Sequence, residues 1–277
     1  MDRCGGAVAV LSVIRTVDET GSTNADMLGL ARDGAAEGVW LRAERQTAGR
    51  GRLGRAWVSP GGNLYASTLV RLRESDPQVA TLALVTGVAV EEAVRAHLPS
   101  PSPFPLGCAE RAPSLSRWER EGAPEARKGE GDVGLQLKWP NDVLLGTAKL
   151  AGILLERAGD AVVIGIGANL AHHPDLPDRP ATSLAAHGVE VTPAAFLDTL
   201  AEAFARWLAR WRGEGLAPIR ARWLARAHAV GTALTARLPD GRAVDGLFDG
   251  LCQDGALILR LAGGERRVIH AGDVFLL

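Results

Sequence analysis

Tight-turn dipeptides take over the chain after His228, and they confine its last part to a small all-β unit. The stretches "TALTARL", "RAVDGLF", "GALILRL" and "RRVIHAGDVFLL" are separated by "PDG", "DG" and "AGGE". Short strand-like runs with turn signals at that spacing predict a barrel of roughly 50 residues. The chain before it has a different grain. Thr192 and Pro193 open a helix carrying Phe196, Leu200, Phe204, Trp207 and Trp211, mostly at three- and four-residue steps. A second helix is expected to run to about His228. We therefore divide the chain into residues 1–228 and 229–277, in keeping with its length of 277 residues.

The first part alternates strands and helices. A buried strand is expected over residues 7–17, from β-branched and apolar content. "GSTNADMLGLARDG" then has Ser22 or Thr23 as a helix cap, Asp26 in the first turn and Gly34 at the end. "GVWLRAERQ" and "NLYASTLVRL" have strand composition. Asp76 and Pro77 are expected to cap a long helix ending near His97. "VGLQLKW" is a further strand, "PND" a turn, and "KLAGILLE" and "AVVIGIGANL" two more strands. The segment 99–132 is rich in Pro, Gly, Ser and charge and lacks an apolar period, which predicts a disordered insertion. Its ends, "PSPFP" and "KGEG", can be opposite-strand readings of each other, which points to a palindromic DNA repeat inserted in frame.

Bulk properties exclude more than they assign. The formal net charge is −1, so no global field draws the chain to nucleic acid or anionic membrane. The longest weakly polar run, residues 79–90, is well short of the ~18 residues of a spanning helix. The N-terminus carries no small-x-small cleavage site before Asp18 and Glu19, so a strand is the better reading than a signal peptide. Cys4, Cys108 and Cys252 are far apart, without metal-ligand spacing, which suits a reducing cytoplasm. His172 and His173 are read as loop residues.

Positive charge is instead concentrated locally. "AGRGRLGRAW" sets Arg50, Arg52 and Arg55 among Gly49, Gly51 and Gly54, between two strands. Glycines let backbone N–H groups turn inward as an anion nest, and arginines add forked donors for phosphate and carboxylate. The pattern is neither a Walker loop nor a dinucleotide fingerprint. In "KWPNDVLLGTAKLAGILLE", Lys138 and Lys149 flank a turn with Asn141 and Asp142. The lysines can neutralise phosphates, and Asp142 can order the turn or hold Mg²⁺. Gly152 lets a ligand lie against the backbone. "STN", residues 22–24, offers hydroxyls at a helix start that either cap it or meet a polar head group. "GIGANL" places glycines in an apolar strand, a sign of close backbone approach, and ends at Asn169, which can read an adenine edge.

In this order, "GSTN", "QTAGRGRLGRAWVSPGGNLY", "LKWPNDVLL…KLAGILLE" and "VIGIGANL" resemble the biotin–protein ligase (holocarboxylase synthetase) family. The tail resembles that family's SH3-like C-terminal domain. The resemblance implies an α+β fold: a mixed-sheet, class II synthetase-like catalytic domain and a small SH3-like barrel. It implies that biotin attacks the α-phosphate of ATP to give biotinyl-5′-AMP, which then acylates one lysine of a biotin carboxyl carrier domain of acetyl-CoA carboxylase. It assigns Ser22, Thr23, Asn24 and Gln46 to the biotin head group. Arg50, Gly51 and Arg52 go to the carboxylate and phosphate, with Gly152 beside them. Lys149 goes to the charge developing in the reaction, with Arg50 and Arg52 in support. Trp57 and Asn169 go to adenine; Arg55, Lys138, Asn141 and Asp142 to the nucleotide, with Asp142 also a candidate for Mg²⁺. Some members carry an N-terminal helix-turn-helix repressor domain. "STN" begins here at residue 22, so the expectation is an enzyme without DNA binding, in a form that can be a homodimer. A lipoate or octanoyl ligase or transferase of the same fold is the nearest alternative. A non-catalytic nucleic-acid-binding module is the alternative of another class.

Overall fold

Period-two alternation in the central strands builds a sheet with two unlike faces. The structure, a computed structural model, describes residues 13–99, 134–175 and 180–277. Its first sheet has seven strands: β1 (Val13–Thr20), β2 (Val39–Gln46), β3 (Leu64–Arg71), β4 (Leu135–Lys138), β5 (Asp142–Leu145), β6 (Ala148–Ala158) and β7 (Ala161–Ala168). Their order is β1-β2-β3-β7-β6-β5-β4. Only β1 and β2 run parallel; every other neighbouring pair is antiparallel.

Leu64, Ala66 and Val70 of β3 and Val162, Ile164 and Ile166 of β7 enter the larger core. Over that face pack α2 (Leu82–His97), α3 (Pro193–Glu214) and α4 (Ala217–Leu224). The five aromatic and leucine positions of α3 are all buried, with Trp40 edge-on to Phe204 at 5.7 Å. Each such side chain contributes about 1.5–3 kcal/mol by leaving water. The other face carries one helix, α1 (Thr23–Arg32), and a small cluster of Met27, Ala31, Leu41, Leu69, Ala161 and Val163. Beyond that cluster the strands present Ser67, Gly165 and Gly167, and the site lies there.

The tail forms a separate five-stranded antiparallel sheet: β8 (Ala233–Arg237), β9 (Ala243–Leu251), β10 (Leu257–Arg260), β11 (Arg266–Ile269) and β12 (Asp273–Leu276), in the order β11-β10-β9-β8-β12. The final run "RRVIHAGDVFLL" is therefore two strands at opposite edges of that sheet. The crossing needs a glycine: a Cβ at residue 272 would lie 2.6 Å from the Arg237 carbonyl oxygen. Trp139 Nε1, just after β4, donates to Gly255 O at 3.1 Å, and Arg220 Nε, on α4, to Leu251 O at 2.8 Å, tying the tail to the first part of the chain.

Several local expectations need correction. Asp76 does not cap α2, which begins at Leu82. Its carboxylate accepts instead from Arg73 N at 3.0 Å and from Arg212 Nε at 3.1 Å, so a tertiary ion pair takes the residue a cap would have used. Residues 138–156 are two hairpins, not one, because β5 stands between β4 and β6. The first strand runs to Thr20 and α4 stops at Leu224. Thr192 does cap α3, accepting from Ala195 N at 3.2 Å. The expected strand before residue 13, and the insertion apart from Pro99, lie outside the described residues.

Candidate active site

Three glycines make the floor. Gly152 on β6 pairs with Gly167 on β7, and Gly165 lies two residues earlier on the same strand. Their lack of a side chain admits protein groups. A Cβ on Gly165 would lie 2.1 Å from Asn24 Oδ1, and one on Gly167 would lie 2.6 Å from the Trp57 ring. On Gly152 a Cβ would lie 3.0 Å from Lys149 Nζ and 3.2 Å from Trp57. The close approach expected from "GIGANL" is thus made by Asn24 and Trp57.

At one end is a neutral polar pocket. Gln46 Oε1 accepts from Thr23 N at 2.9 Å and from Thr23 Oγ1 at 3.2 Å, while Gln46 Nε2 donates to Ser59 Oγ at 3.1 Å. Ser67 Oγ donates to Asn24 Oδ1 at 2.6 Å, and Asn24 Nδ2 to Glu156 Oε2 at 2.7 Å. Ser22 occupies the N-cap position of α1 but makes no capping bond with its side chain. Its buried hydroxyl therefore joins Thr23, Asn24 and Gln46 as donors and acceptors fixed in place, the kind of surface that reads a urea or amide.

At the other end is the Gly/Arg loop, which is a short hairpin. Gly51 N donates to Arg55 O at 2.7 Å and Trp57 N to Gly49 O at 2.9 Å. Its tip, Arg52–Gly54, is a single 3₁₀ turn, with Leu53 at φ 55°. Gly49 is sterically required, since a Cβ there would lie 2.5 Å from Trp57 O. The arginines do not simply repel one another. Arg55 Nη2 lies 2.5 Å and Arg52 Nη1 3.0 Å from the two carboxylate oxygens of Asp273, on β12. Arg52 also donates to Asn141 Oδ1 and to Gly272 O, each at 3.2 Å. Arg50 lies 4.0 Å from Glu156.

Between the two ends stands Lys149. A bulge shifts the β5–β6 pairing from Val143↔Ala151 to Leu144↔Lys149. Leu150 is left in the core and Lys149 lines the cavity. Its Nζ is 2.6 Å from Asp142 Oδ1 and 5.2 Å from the Trp57 ring centroid. Lys138 is farther from Asp142, at 3.9 Å, and lies 5.6 Å from the ring centroid of Phe275 on β12. Asn169 Nδ2 donates to Thr182 O at 3.0 Å, fixing the segment that closes this end. All of the residues that the resemblance assigns to biotin or ATP line one cavity of about 520 Å³.

The chain matches the family model described as "Biotin/lipoate A/B protein ligase family" over residues 30–169, and "Biotin protein ligase C terminal domain" over residues 232–277. It is 40% identical over 267 residues to the biotin--[acetyl-CoA-carboxylase] ligase of Paracoccus denitrificans, covering 92% of this chain and 97% of the other. The chain belongs to the biotin/lipoate A/B protein ligase family. The ligase of the same description from Mycobacterium tuberculosis is 36% identical, over 99% of this chain and 92% of its own length. Among solved structures, the biotin protein ligase of Aquifex aeolicus superposes with a TM-score of 0.73 at 24% identity, over 96% of this chain and 98% of the other, and shares the fold.

Sequence reasoning missed several residues that brace the site of this family member. Asp273 and Phe275 come from the tail, where no motif marks them. Ser67 and Glu156 were hidden in strands of ordinary composition. Asn63 was also missed: its Oδ1 accepts from the amides of Leu170, Ala171 and His172, which anchors the chain just after Asn169. Tyr65 beside it donates to Pro60 O at 2.8 Å, and burial pushes its phenol up to about 12, so it stays a neutral donor. His173 Nδ1 lies 3.1 Å from Ser183 Oγ, in keeping with a loop role. Among the described residues no group of three His, Cys, Asp or Glu side chains is placed to hold a metal ion. Asp142 is paired with two ammonium groups, so these residues do not build a magnesium site by themselves.

Proposed function

We propose that this chain is an ATP-dependent ligase that activates biotin as biotinyl-5′-AMP. It then transfers the biotinyl group to a lysine of a biotin carboxyl carrier domain of acetyl-CoA carboxylase. The observation that carries this reading is the meeting, at Lys149, of a neutral hydroxyl-and-amide pocket with an arginine-lined wall. A molecule with a urea head and a carboxylate tail fits the first end and reaches the second. The names of the curated relatives and the two family matches support the same reaction.

In this reading Ser22, Thr23, Asn24 and Gln46 hold the ureido ring. Arg50, Gly51 and Arg52 face the carboxylate and the α-phosphate. The carboxylate oxygen attacks the α-phosphorus and pyrophosphate leaves. Lys149 Nζ stabilises the negative charge that grows on phosphorus and later on the acyl oxygen, an interaction strongest in the transition state. The carrier lysine then attacks the acyl carbon and AMP leaves. Trp57 offers a ring face, and Asn169 a fixed amide, to the adenylate. Lys138, Asn141 and Arg55 face the remaining phosphates. Asp142 would reach a magnesium ion arriving with ATP only by leaving Lys149. The mixed anhydride hydrolyses in water, so the loop has to cover it.

We read residues 1–228 as the catalytic part and 229–277 as a domain that completes one wall. The loop arginines are paired inside the cavity, which disfavours a nucleic-acid-binding module. Among the described residues no helix is long and apolar enough to cross a membrane, and dependence on ATP fits a cytoplasmic enzyme. Pyrophosphate exchange into ATP tests the proposal. Exchange is expected with biotin and not with lipoate or octanoate; exchange that prefers lipoate would move the chain to the sister activity.

A further inference from the structure

The tail reaches the site through one carboxylate. Asp273 opens β12 and is only 18% exposed at its side chain, with Arg52 on one oxygen and Arg55 on the other. Its neighbour Gly272 supplies the carbonyl that Arg52 Nη2 donates to. Arg55 Nε in turn donates to Arg52 O at 3.1 Å, so the two arginines and the turn between them form one unit around Asp273. Two guanidinium groups brought this near each other repel, and a carboxylate between them offsets that repulsion before any ligand arrives. The charge that remains is about one net positive, left to meet the anionic intermediate. Among the described residues Arg52 Nε meets no acceptor, and it is available to a phosphate without breaking the contact to Asp273.

We propose that Asp273 is a positioning residue that holds the Gly/Arg loop in its closed hairpin, and that the tail thereby governs retention of the acyl-adenylate. The inference about retention rests on the ligase reading above; the inference about the loop does not. Asp273 touches no reacting atom. It acts by keeping Arg52 over the intermediate, with Arg55 as the second arm of the clasp, so its loss should loosen the loop and leave the activation step, which Lys149 serves, in place.

The test uses the full chain with Asp273→Asn, Asp273→Ala and Asp273→Glu. Limited trypsin digestion, with cleavage after Arg50, Arg52 and Arg55 followed by mass spectrometry, reads the loop without ligand. Both neutral variants should be cut about three- to tenfold faster than wild type, as expected for losing a partly exposed ion pair, and Asp273→Glu should return toward wild type. With biotin, ATP and an unrelated lysine-rich protein, biotin on the bystander should rise by a similar factor while pyrophosphate exchange stays within about threefold. Combined with Arg55→Ala, the effect of Asp273→Asn should be less than additive. An unchanged cleavage rate in folded Asp273→Asn overturns the latch. Faster cleavage without added bystander labelling overturns the role in retention. Loss of exchange with an unchanged thermal transition overturns it too, because Asp273 would then serve activation directly. If wild type itself shows no biotin-dependent exchange, the ligase reading fails while the digestion still judges the latch.

Discussion

Gly165 and Asn24 are fitted to each other: a Cβ on the strand residue would fall 2.1 Å from the amide oxygen of the helix residue. That oxygen accepts from Ser67, and its amide nitrogen donates to Glu156. The head-group pocket is therefore aligned by the absence of a methyl group on β7.

Gly165→Ala should expel Asn24 from its position and strip it of both partners. Each lost buried hydrogen bond costs about 1–3 kcal/mol. Biotin affinity, measured by calorimetry, should fall roughly ten- to a hundredfold. Asn24→Ser in the Gly165→Ala background removes the overlap and should recover part of the affinity. No recovery in the double variant would mean that the strand backbone, and not Asn24, had moved.

Lys149→Ala should damage activation far more than Lys138→Ala. Lys149 is 2.6 Å from Asp142 at the junction of the two ends, whereas Lys138 is 3.9 Å away and lies against Phe275. Loss of a donor to developing charge typically costs ~10²–10³ in rate. Pyrophosphate exchange at saturating ATP compares the two directly, and equal losses would contradict the assignment.

Arg52→Gly should still make biotinyl-AMP but hold it poorly. Lys149 and Arg50 stay in place, while the side chain joining Asn141, Gly272 and Asp273 is gone. A charge-assisted contact is worth ~1.5–3 kcal/mol, or roughly ten- to a hundredfold in retention. The released anhydride should acylate lysines of a bystander protein, scored by blotting for biotin. Labelling no greater than wild type, with exchange intact, would show that retention lies elsewhere.

His228 should make the fold sensitive to mild acid. It is buried, its Nε2 has no hydrogen-bond partner among the described residues, and burial, then the Lys138 ammonium, push its pKa below the ordinary 6.5. As the pH falls through about 6.5 the unfolded chain takes up a proton that the native chain refuses, so stability drops; above that pH the contribution is fully present. The Tm of wild type should therefore fall more steeply from about pH 7 to about pH 5 than the Tm of His228→Gln. Parallel curves would exclude the histidine as the cause.

The motifs were legible because each joins unusual punctuation to chemistry: arginines among glycines, a Pro-Asn-Asp turn between lysines, glycines inside an apolar strand. Gly165 and Gly167 announced a close approach, yet local sequence carries no sign of what approaches, and the partners proved to be Asn24 and Trp57. Asp273 was illegible for a similar reason. It is one acid in a tail of ordinary turns, and its meaning lies in two arginines more than 200 residues away, brought to it only when the two sheets pack. Asp76 misled in the opposite sense. Asp-Pro is good cap chemistry locally, and a tertiary partner, Arg212, outcompeted it.

The unlike faces of the seven-stranded sheet separate two kinds of mutational consequence. Most of the apolar mass lies on the side away from the cavity, where changes unfold the protein. The cavity side has exchanged packing for glycines and hydrogen-bonded side chains. Substitutions there can alter what is recognised or how long it is held while the opposite side continues to carry the fold. A library confined to Ser22, Thr23, Gln46 and Ser67 would thus sample new acyl substrates mostly among folded proteins, which makes this sheet a practical scaffold for redirecting the ligation.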